Sequence, residues 1–315
     1  MMANVGTTGP PGLRIHGERR VRGGLEAEVR SHAFRRMTVE ELAAYRRRPE
    51  PAPGWPPMPA GLLRQSDDQT VAAIAAATDA IRRIDGCAPG YARDWGLLAA
   101  PRYLGRAKLA QALARFDEEN VWGVSPHLIP HFALHSPSGT LSLALGIRGP
   151  NLGIGGGHCA AFEGVLAALS WLDAGVVPAV LLAITGWDPE LVPDDRGEAP
   201  PGLACEALAL VLVPPGAAGG PAARLGVVSR DASARPPSHG PAEIAGLLDR
   251  VDARPARARI IAHGPHDEAV PRPHLAREAR PRGAGPAVPI LADAAGRMVV
   301  ELDILAGRGP HAETS

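Results

Sequence analysis

Cys159 is the residue best suited to nucleophilic chemistry. It follows three consecutive glycines at 155–157 and opens a segment, 159–172, whose apolar residues recur at helical spacing. A cysteine at the start of a helix has its thiolate stabilised by unpaired backbone amides and by the helix dipole. Such a thiolate can accept an acyl group as a thioester. The same pattern also fits a small buried side chain without a chemical role.

Three histidines near the middle of the chain have the spacing of a metal site. His127, His131 and His135 recur every four residues, which on one continuous helix would place three imidazoles on one face, as zinc requires. Three prolines within residues 126–137 oppose such a helix. The segment therefore favours a proline-rich loop over a metal centre.

A second polar cluster follows a short apolar segment. It comprises His263, His266, Asp267, Glu268 and His274. A solvated loop after a buried strand explains this cluster without a metal. The sequence G-I-G-G-G-H at 153–158 lacks the third glycine and the later acidic residue of a dinucleotide site, so it is interpreted as a tight turn. We therefore predict no metal and no cofactor.

Composition and charge exclude several classes of protein. The 315 residues include 33 Lys and Arg and 33 Asp and Glu, so the net charge is zero, without the basic excess that nucleic-acid binding needs. The three cysteines are widely spaced, which disfavours a disulfide framework and indicates a reducing cytoplasm. The longest apolar run, 176–184, is far shorter than the roughly 20 residues of a membrane span. We expect a cytoplasmic globular protein that binds neither nucleic acid nor membrane.

Hydrophobic periodicity predicts alternating helices and strands. Residues 71–83 have apolar side chains at helical spacing, and Asp67 and Asp68 before them suit a helix start. Continuous apolar runs at 176–184 and 207–213 are typical of strands buried on both faces. Further helices are predicted at 108–116, 159–172 and 242–251, and further strands at 95–100, 151–154, 224–228 and 259–262. Helices between apolar strands indicate a layered α/β fold.

Several motifs occur in an order that matches a known family. The sequence S-P-S-G-T-L-S-L-A-L-G-I-R-G-P-N at 136–151 precedes the glycine turn, Cys159 and an apolar strand that ends in T-G at 185–186. This order resembles the N-terminal half of β-ketoacyl synthases, which are condensing enzymes of the thiolase-like superfamily. More weakly, residues 205–213 resemble the next strand of that family, and I-I-A-H-G at 260–264 resembles its histidine-bearing strand.

The resemblance implies a thiolase-like layered αβαβα fold. Residues 67–215 would form a ketosynthase N-terminal-like half. Residues 222–315 would form a shortened C-terminal-like half, because the chain stops at Ser315 before the glycine-rich loop of the family. Residues 1–66 are rich in Arg, Gly and Pro and are predicted to form an irregular arm and loops.

The resemblance also implies candidate catalytic residues. In the family, a cysteine on a strand-to-helix turn holds the acyl group, and two histidines assist decarboxylation of the malonyl unit by stabilising negative oxygen. Cys159 and His263 match two of these positions. An ungapped count from Gly149 and Pro150 instead places the nucleophile at His158, and one extra residue in the glycine turn would return it to Cys159.

The other catalytic positions depart from the family pattern. The motif H-G-T-x-T is H-G-P-H-D at 263–267, so both threonines are absent. Aligning D-A-A-G at 293–296 with the end of G-H-x-x-G-A-A-G places Ile290 where the second histidine stands, and isoleucine cannot donate a hydrogen bond. On this alignment, residues 298–309 resemble the helix that follows.

We therefore predict a non-catalytic or weakly active β-ketoacyl-synthase-like subunit, similar to a chain length factor, in fatty-acid or polyketide-type biosynthesis. Such a subunit pairs with an active ketosynthase or with a second copy, near the helix after Cys159 and the strand before it, and contacts an acyl carrier protein. One alternative is an active acyltransferase, a 3-oxoacyl-[acyl carrier protein] synthase that uses Cys159 as the nucleophile with His263 assisting. Another alternative is a scaffold without acyl binding.

Overall fold

The apolar segments of the sequence form the central strands of one mixed sheet. The computed structural model describes residues 25–51, 55, 58–125, 133–155, 157–192, 194, 201–217, 223–229, 240–252, 288–292 and 298–303. The strands are β1 Glu26–Thr38, β2 Gly96–Pro101, β3 Asn151–Gly153, β4 Val180–Asp188, β5 Ala204–Val213, β6 Ala223–Ser229, β7 Val288–Ala292 and β8 Met298–Asp303. The α-helices are α1 Val39–Arg47, α2 Ala60–Arg64, α3 Asp68–Arg82, α4 Arg106–Glu119, α5 His135–Leu145, α6 Ala160–Asp173 and α7 Pro241–Asp252.

The strand order is β3-β2-β4-β5-β1-β6-β8-β7. Strands β3, β2 and β4 are parallel to one another, whereas every other neighbouring pair is antiparallel. The chain passes from β2 to β3 on one side and then crosses to β4 on the other side. The carboxyl ends of β3, β2 and β4 therefore lie along one edge of the sheet, and the order reverses between β2 and β4.

Helices cover both faces of the sheet. Helices α6 and α7 bury Val165, Leu169 and Leu248 on one face. Helices α1, α2, α3 and α5 pack on the other face, where Ile74 and Leu141 belong to the buried core. Strands β2 and β5 are buried along their whole length because they contact helices on both sides. The predicted α/β class and its layering are thus confirmed.

Most predicted elements have their expected type. Segment 71–83 is α3, and the side chain of Asp67 accepts a hydrogen bond from the backbone N–H of Gln69 at its start. Segments 159–172 and 242–251 are α6 and α7, and segments 176–184 and 207–213 correspond to β4 and β5. The predicted strand at 259–262 lies outside the described residues.

The prediction of an irregular arm is wrong for the part of residues 1–66 that the structure describes as strand and helix. Strand β1 runs through the sheet between β5 and β6 and buries Ala33 and Met37. Its charged residues hide this strand in the sequence, but they are paired in the fold: Arg35 with Asp79, and Arg36 with Glu206. The T-x-x-E sequence starting at Thr38 forms a capping box that begins α1.

The expected helix at residues 298–309 is also corrected, because residues 298–303 form strand β8. This strand pairs with β6 and β7, and its Val300 is completely buried. Adjacent β-branched residues at 299 and 300 favour a strand over a helix. The alignment that placed Ile290 at a histidine position required a following helix, so it loses that support; Ile290 lies in β7.

Helix α4 differs from the other long helices in its burial. None of its described side chains is buried, and Leu109, Leu113 and Phe116 are exposed at helical spacing. A helix of this length obtains most of its stability from packing of its apolar face. The described part of this chain therefore leaves an apolar helix face available for contact.

Candidate functional site

The carboxyl ends of the three parallel strands bring several sequence-distant residues to one edge of the sheet. Arg102 follows β2 directly, the glycine turn and Cys159 follow β3, and Glu190 follows β4 after Pro189. Ligands of open α/β sheets bind outside this edge, next to the place where the strand order reverses. This edge is therefore the candidate functional site.

The turn between β3 and α6 is held closely against the sheet and the helix. The backbone N–H of Ile154 donates to the carbonyl oxygen of Ala99 at 2.8 Å, which continues the pairing of β3 with β2. Gly155 has φ +73°, and a Cβ there would lie 2.8 Å from both Cα of Ala160 and Oε2 of Glu163. A side chain at 155 would thus collide with the first turn of α6, which explains the glycine.

Cys159 is the residue at which α6 begins. It is the N-cap residue, with φ −90° and ψ 2°, and its carbonyl oxygen accepts from the backbone N–H of Glu163 at 3.0 Å. The side chain is half-buried, and no disulfide involves it. The amide groups of the first helical turn and the positive end of the helix dipole favour a thiolate at this place.

His158 lies in the turn one residue earlier, and it is exposed. The structure therefore places Cys159, and not His158, at the start of α6. Neither residue has a positive φ, since Tyr103 and Asn120 are the non-glycine residues of the described chain that do. The catalytic role of Cys159 or His158 remains a prediction.

The remaining histidine predictions are only partly within the described chain. His135 begins α5, and its Nδ1 lies 3.3 Å from Oγ of Ser138. His127, His131 and His263, with its neighbouring polar cluster, lie outside the described residues. Within the described ranges, no group of three His, Cys, Asp or Glu side chains is arranged to hold a metal ion.

Sequence reasoning missed an ion-pair cluster at the same edge. Glu190 accepts from Nη2 of Arg102 through Oε2 at 2.6 Å and from Nη1 of Arg106 through Oε1 at 2.9 Å. The Arg106 guanidinium lies 3.7 Å from the ring centroid of Tyr103. The sequence signal was the position of Arg102 and Glu190 just after two predicted apolar strands.

A half-buried carboxyl, Asp67, and a buried amide, Gln69, lie at the start of α3 next to this edge. The side chain of Asp67 caps α3, and burial raises its pKa from 3.8 to about 6, with Asp68 nearby adding to the rise and the Gln69 amide opposing it. Gln69 itself is buried and donates to the carbonyl oxygen of Arg102 at 3.1 Å. The start of α3 is thereby linked to the end of β2.

A second carboxylate is buried beside the end of β4. Glu206 on β5 accepts from Nη1 of Arg36 at 2.9 Å, and the same arginine pairs with Asp188. Burial raises the pKa of Glu206, while the hydrogen bond from Arg36 opposes the rise. This cluster joins β1, β4 and β5 and has a structural explanation.

A shallow pocket of about 380 Å³ lies between α3 and α5. It is lined by Ser66, Thr70, His135, Ser136, Gly139, Thr140, Ser142, Leu143 and Asn151. Cys159 is not among these residues, so this pocket does not lead to the thiol.

Comparison with known proteins gives structural neighbours only. No protein-family profile matches the chain, and no curated protein matches it. No helix of the described ranges combines the length and apolar character needed to cross a membrane.

Several solved structures are similar to this chain over much of its length. One is a type II PKS acyl-carrier protein in complex with its ketosynthase (AntDE:AntF), with 16% identity, 73% of this chain and 74% of that chain covered, and a TM-score of 0.47. Another is a ketosynthase in complex with its chain length factor from Xenorhabdus doucetiae, with 13% identity, coverages of 75% and 96%, and a TM-score of 0.47. A third is the ishigamide ketosynthase/chain length factor, with 14% identity, coverages of 64% and 67%, and a TM-score of 0.43.

Proposed function

We propose that this chain is a ketosynthase-like partner subunit, similar to a chain length factor, in fatty-acid or polyketide-type biosynthesis. It pairs across its open sheet edge with a ketosynthase-like subunit, either an active synthase or a second copy, and serves an acyl carrier protein in the cytoplasm. Residues 67–215 act as its N-terminal half and residues 222–315 as its C-terminal half.

The observation that carries the proposal is the open edge at β3. This strand is three residues long and has one neighbour, β2, in the described sheet. Leu152 on β3 is 44% exposed, and Leu143 on α5, which packs against β3, is 71% exposed. An unpaired strand edge with exposed apolar side chains is a ready surface for another chain.

The H-G-P-H-D sequence at 263–267 lacks both threonines of the family motif, which supports a partner role over catalysis. One observation favours the alternative, an active acyltransferase: Cys159 begins α6, where a thiolate is stabilised.

Acyl loading separates the two functions. The purified chain is incubated with an acyl-thioester donor, and intact masses are compared between wild type and Cys159→Ala. The partner role predicts no covalent adduct in either protein. An adduct on wild type that is absent from Cys159→Ala would replace this proposal with the acyltransferase.

Association is tested by light scattering on the wild type alone and when co-purified with a tagged ketosynthase from the same genome. We expect a dimer in one of these experiments, and we expect Leu152→Lys to weaken it because a charge would be buried at the edge. Val176→Lys is the matched control, since Val176 is 55% exposed and precedes β4 rather than lying on β3. A monomer in both experiments, or equal weakening by both substitutions, would contradict pairing at β3.

A further inference from the structure

Two arginines share one carboxylate at the place where the strand order reverses. Each oxygen of Glu190 accepts from a different guanidinium, Oε2 from Arg102 and Oε1 from Arg106. Nη1 of Arg106 also donates to the carbonyl oxygen of Leu191 at 3.2 Å. Arg102 and Arg106 thus form an arginine clamp, in which one carboxylate lies between two guanidinium groups.

The position of the clamp is that of a ligand site. Arg102 follows β2 and Glu190 follows β4, the two adjacent parallel strands between which the order reverses. Arg106 is the first residue of α4, so the positive end of a 14-residue helix lies at the same place. The N-cap residue Gly105 supplies no side chain to that helix start.

Arg102 and Arg106 have more hydrogen-bond donors than the Glu190 carboxylate uses. Two guanidiniums face one carboxylate, which leaves one positive charge uncompensated within this group. Nε of Arg102 is buried and forms no hydrogen bond within the described chain. A buried unpaired donor is costly, and it shows that the present arrangement does not use all the donors of Arg102.

Tyr103 holds the clamp in place. Its ring stacks on Arg106 at 3.7 Å and lies 5.6 Å from the Arg102 guanidinium. Tyr103 has φ +54°, a left-handed conformation that is uncommon and costly for an aromatic residue. The backbone between the two arginines is thus fixed in a conformation that brings both to one point.

The Glu190 carboxylate can be displaced from the two arginines. The side chains of Arg102, Arg106 and Glu190 are 40%, 33% and 38% exposed, so solutes reach them. Ion pairs at this exposure stabilise a fold by only about 0–1 kcal/mol. Glu190 therefore occupies the clamp but can be replaced there by another anion.

We propose that Arg102 and Arg106 form a binding site for the carboxylate of a small acidic ligand, and that Glu190 is the internal occupant which this carboxylate displaces. The bound species is a carboxylate because the clamp already holds one with a separate arginine on each oxygen. The site does not depend on Cys159 or on the partner role proposed above.

The test is calorimetric titration with succinate and with inorganic phosphate at constant ionic strength. Glu190→Gln removes the competing charge, and we expect its succinate Kd to be about tenfold lower than that of wild type. Arg102→Gln added to Glu190→Gln should abolish the binding. Arg115→Gln added to Glu190→Gln is the matched control, because Arg115 lies on the same helix and is exposed, whereas the described arginines that pair with Glu190 are Arg102 and Arg106.

Three outcomes would overturn the proposal. These are equal succinate affinities for wild type and Glu190→Gln, equal losses from the Arg102 and Arg115 substitutions, and tighter binding of phosphate than of succinate. Circular dichroism melting establishes that each variant is folded. If Glu190→Gln unfolds, Glu190→Asp is used, in which the shorter side chain should compete less and the same order of affinities is expected.

Discussion

Thr185 on β4 donates its hydroxyl hydrogen to Oε1 of Gln69 on α3 at 2.8 Å. Both side chains are buried, and Nε2 of the same glutamine donates to the carbonyl oxygen of Arg102. One amide side chain therefore connects α3 to the carboxyl ends of β2 and β4. This connection fixes the backbone of Arg102, one of the two clamp residues.

Removing the Thr185 hydroxyl should destabilise the fold. Thr185→Val keeps the shape of the side chain but leaves Oε1 of Gln69 buried without its donor, so we expect the free energy of unfolding to fall by about 1–3 kcal/mol. Urea denaturation measures this change. Thr185→Ser, which keeps the hydroxyl, should lose less, and a valine variant as stable as the serine variant would show that the hydrogen bond is not the cause.

Gly164 on α6 should not tolerate a methyl group. A Cβ there would lie 2.8 Å from Cβ of Ala100 and 3.0 Å from Cδ1 of Leu182. Overpacking costs about 1–3 kcal/mol, which exceeds the gain of roughly 1 kcal/mol that alanine brings to a helix. We expect Gly164→Ala to unfold at a lower urea concentration than wild type.

The matched control for this prediction is Gly246→Ala on α7. A Cβ at 246 would have no heavy atom within 4 Å, so only the helix propensity changes, and stability should rise by about 0.5–1 kcal/mol. The same sign of effect at both glycines would refute the role assigned to the contact between α6 and β2.

Asp67 should make stability depend on pH between about 4 and 6. Its pKa in the folded protein is raised to about 6 from 3.8, so the folded state binds more protons than the unfolded state in this window. The fold therefore becomes more stable as the pH falls from 6 to 4 and less stable as the pH rises through the same range.

Asp67→Asn should remove this dependence while keeping the cap. Its Oδ1 can still accept from the Gln69 backbone N–H, which lies 2.8 Å from the native carboxylate. We expect the variant to be more stable than wild type by about 1–3 kcal/mol at pH 7 and nearly equal to it at pH 4. Denaturation curves across this range measure the difference, and parallel pH profiles for the two proteins would contradict the assignment.

The fold elements that the sequence predicts best are those with a strong apolar pattern. Helix α6 has apolar residues at helical spacing, and strands β4 and β5 contain continuous apolar runs typical of strands that are buried on both faces. Strand β1 was missed because its arginines resemble a solvated loop, although Asp79 and Glu206 neutralise two of them in the fold. A helix at β8 is implied only by alignment with the family, whereas its adjacent β-branched residues favour the observed strand.

The candidate site also has one part that the sequence predicts and one part that it does not. The sequence alone determined that Cys159 would begin a helix after a glycine turn, because glycine, cysteine and helical periodicity are adjacent in the chain. The clamp of Arg102, Arg106 and Glu190 was decided only by the tertiary structure. The two arginines are separated from Glu190 by 88 and 84 positions, and only the parallel pairing of β2 with β4 brings their charges together.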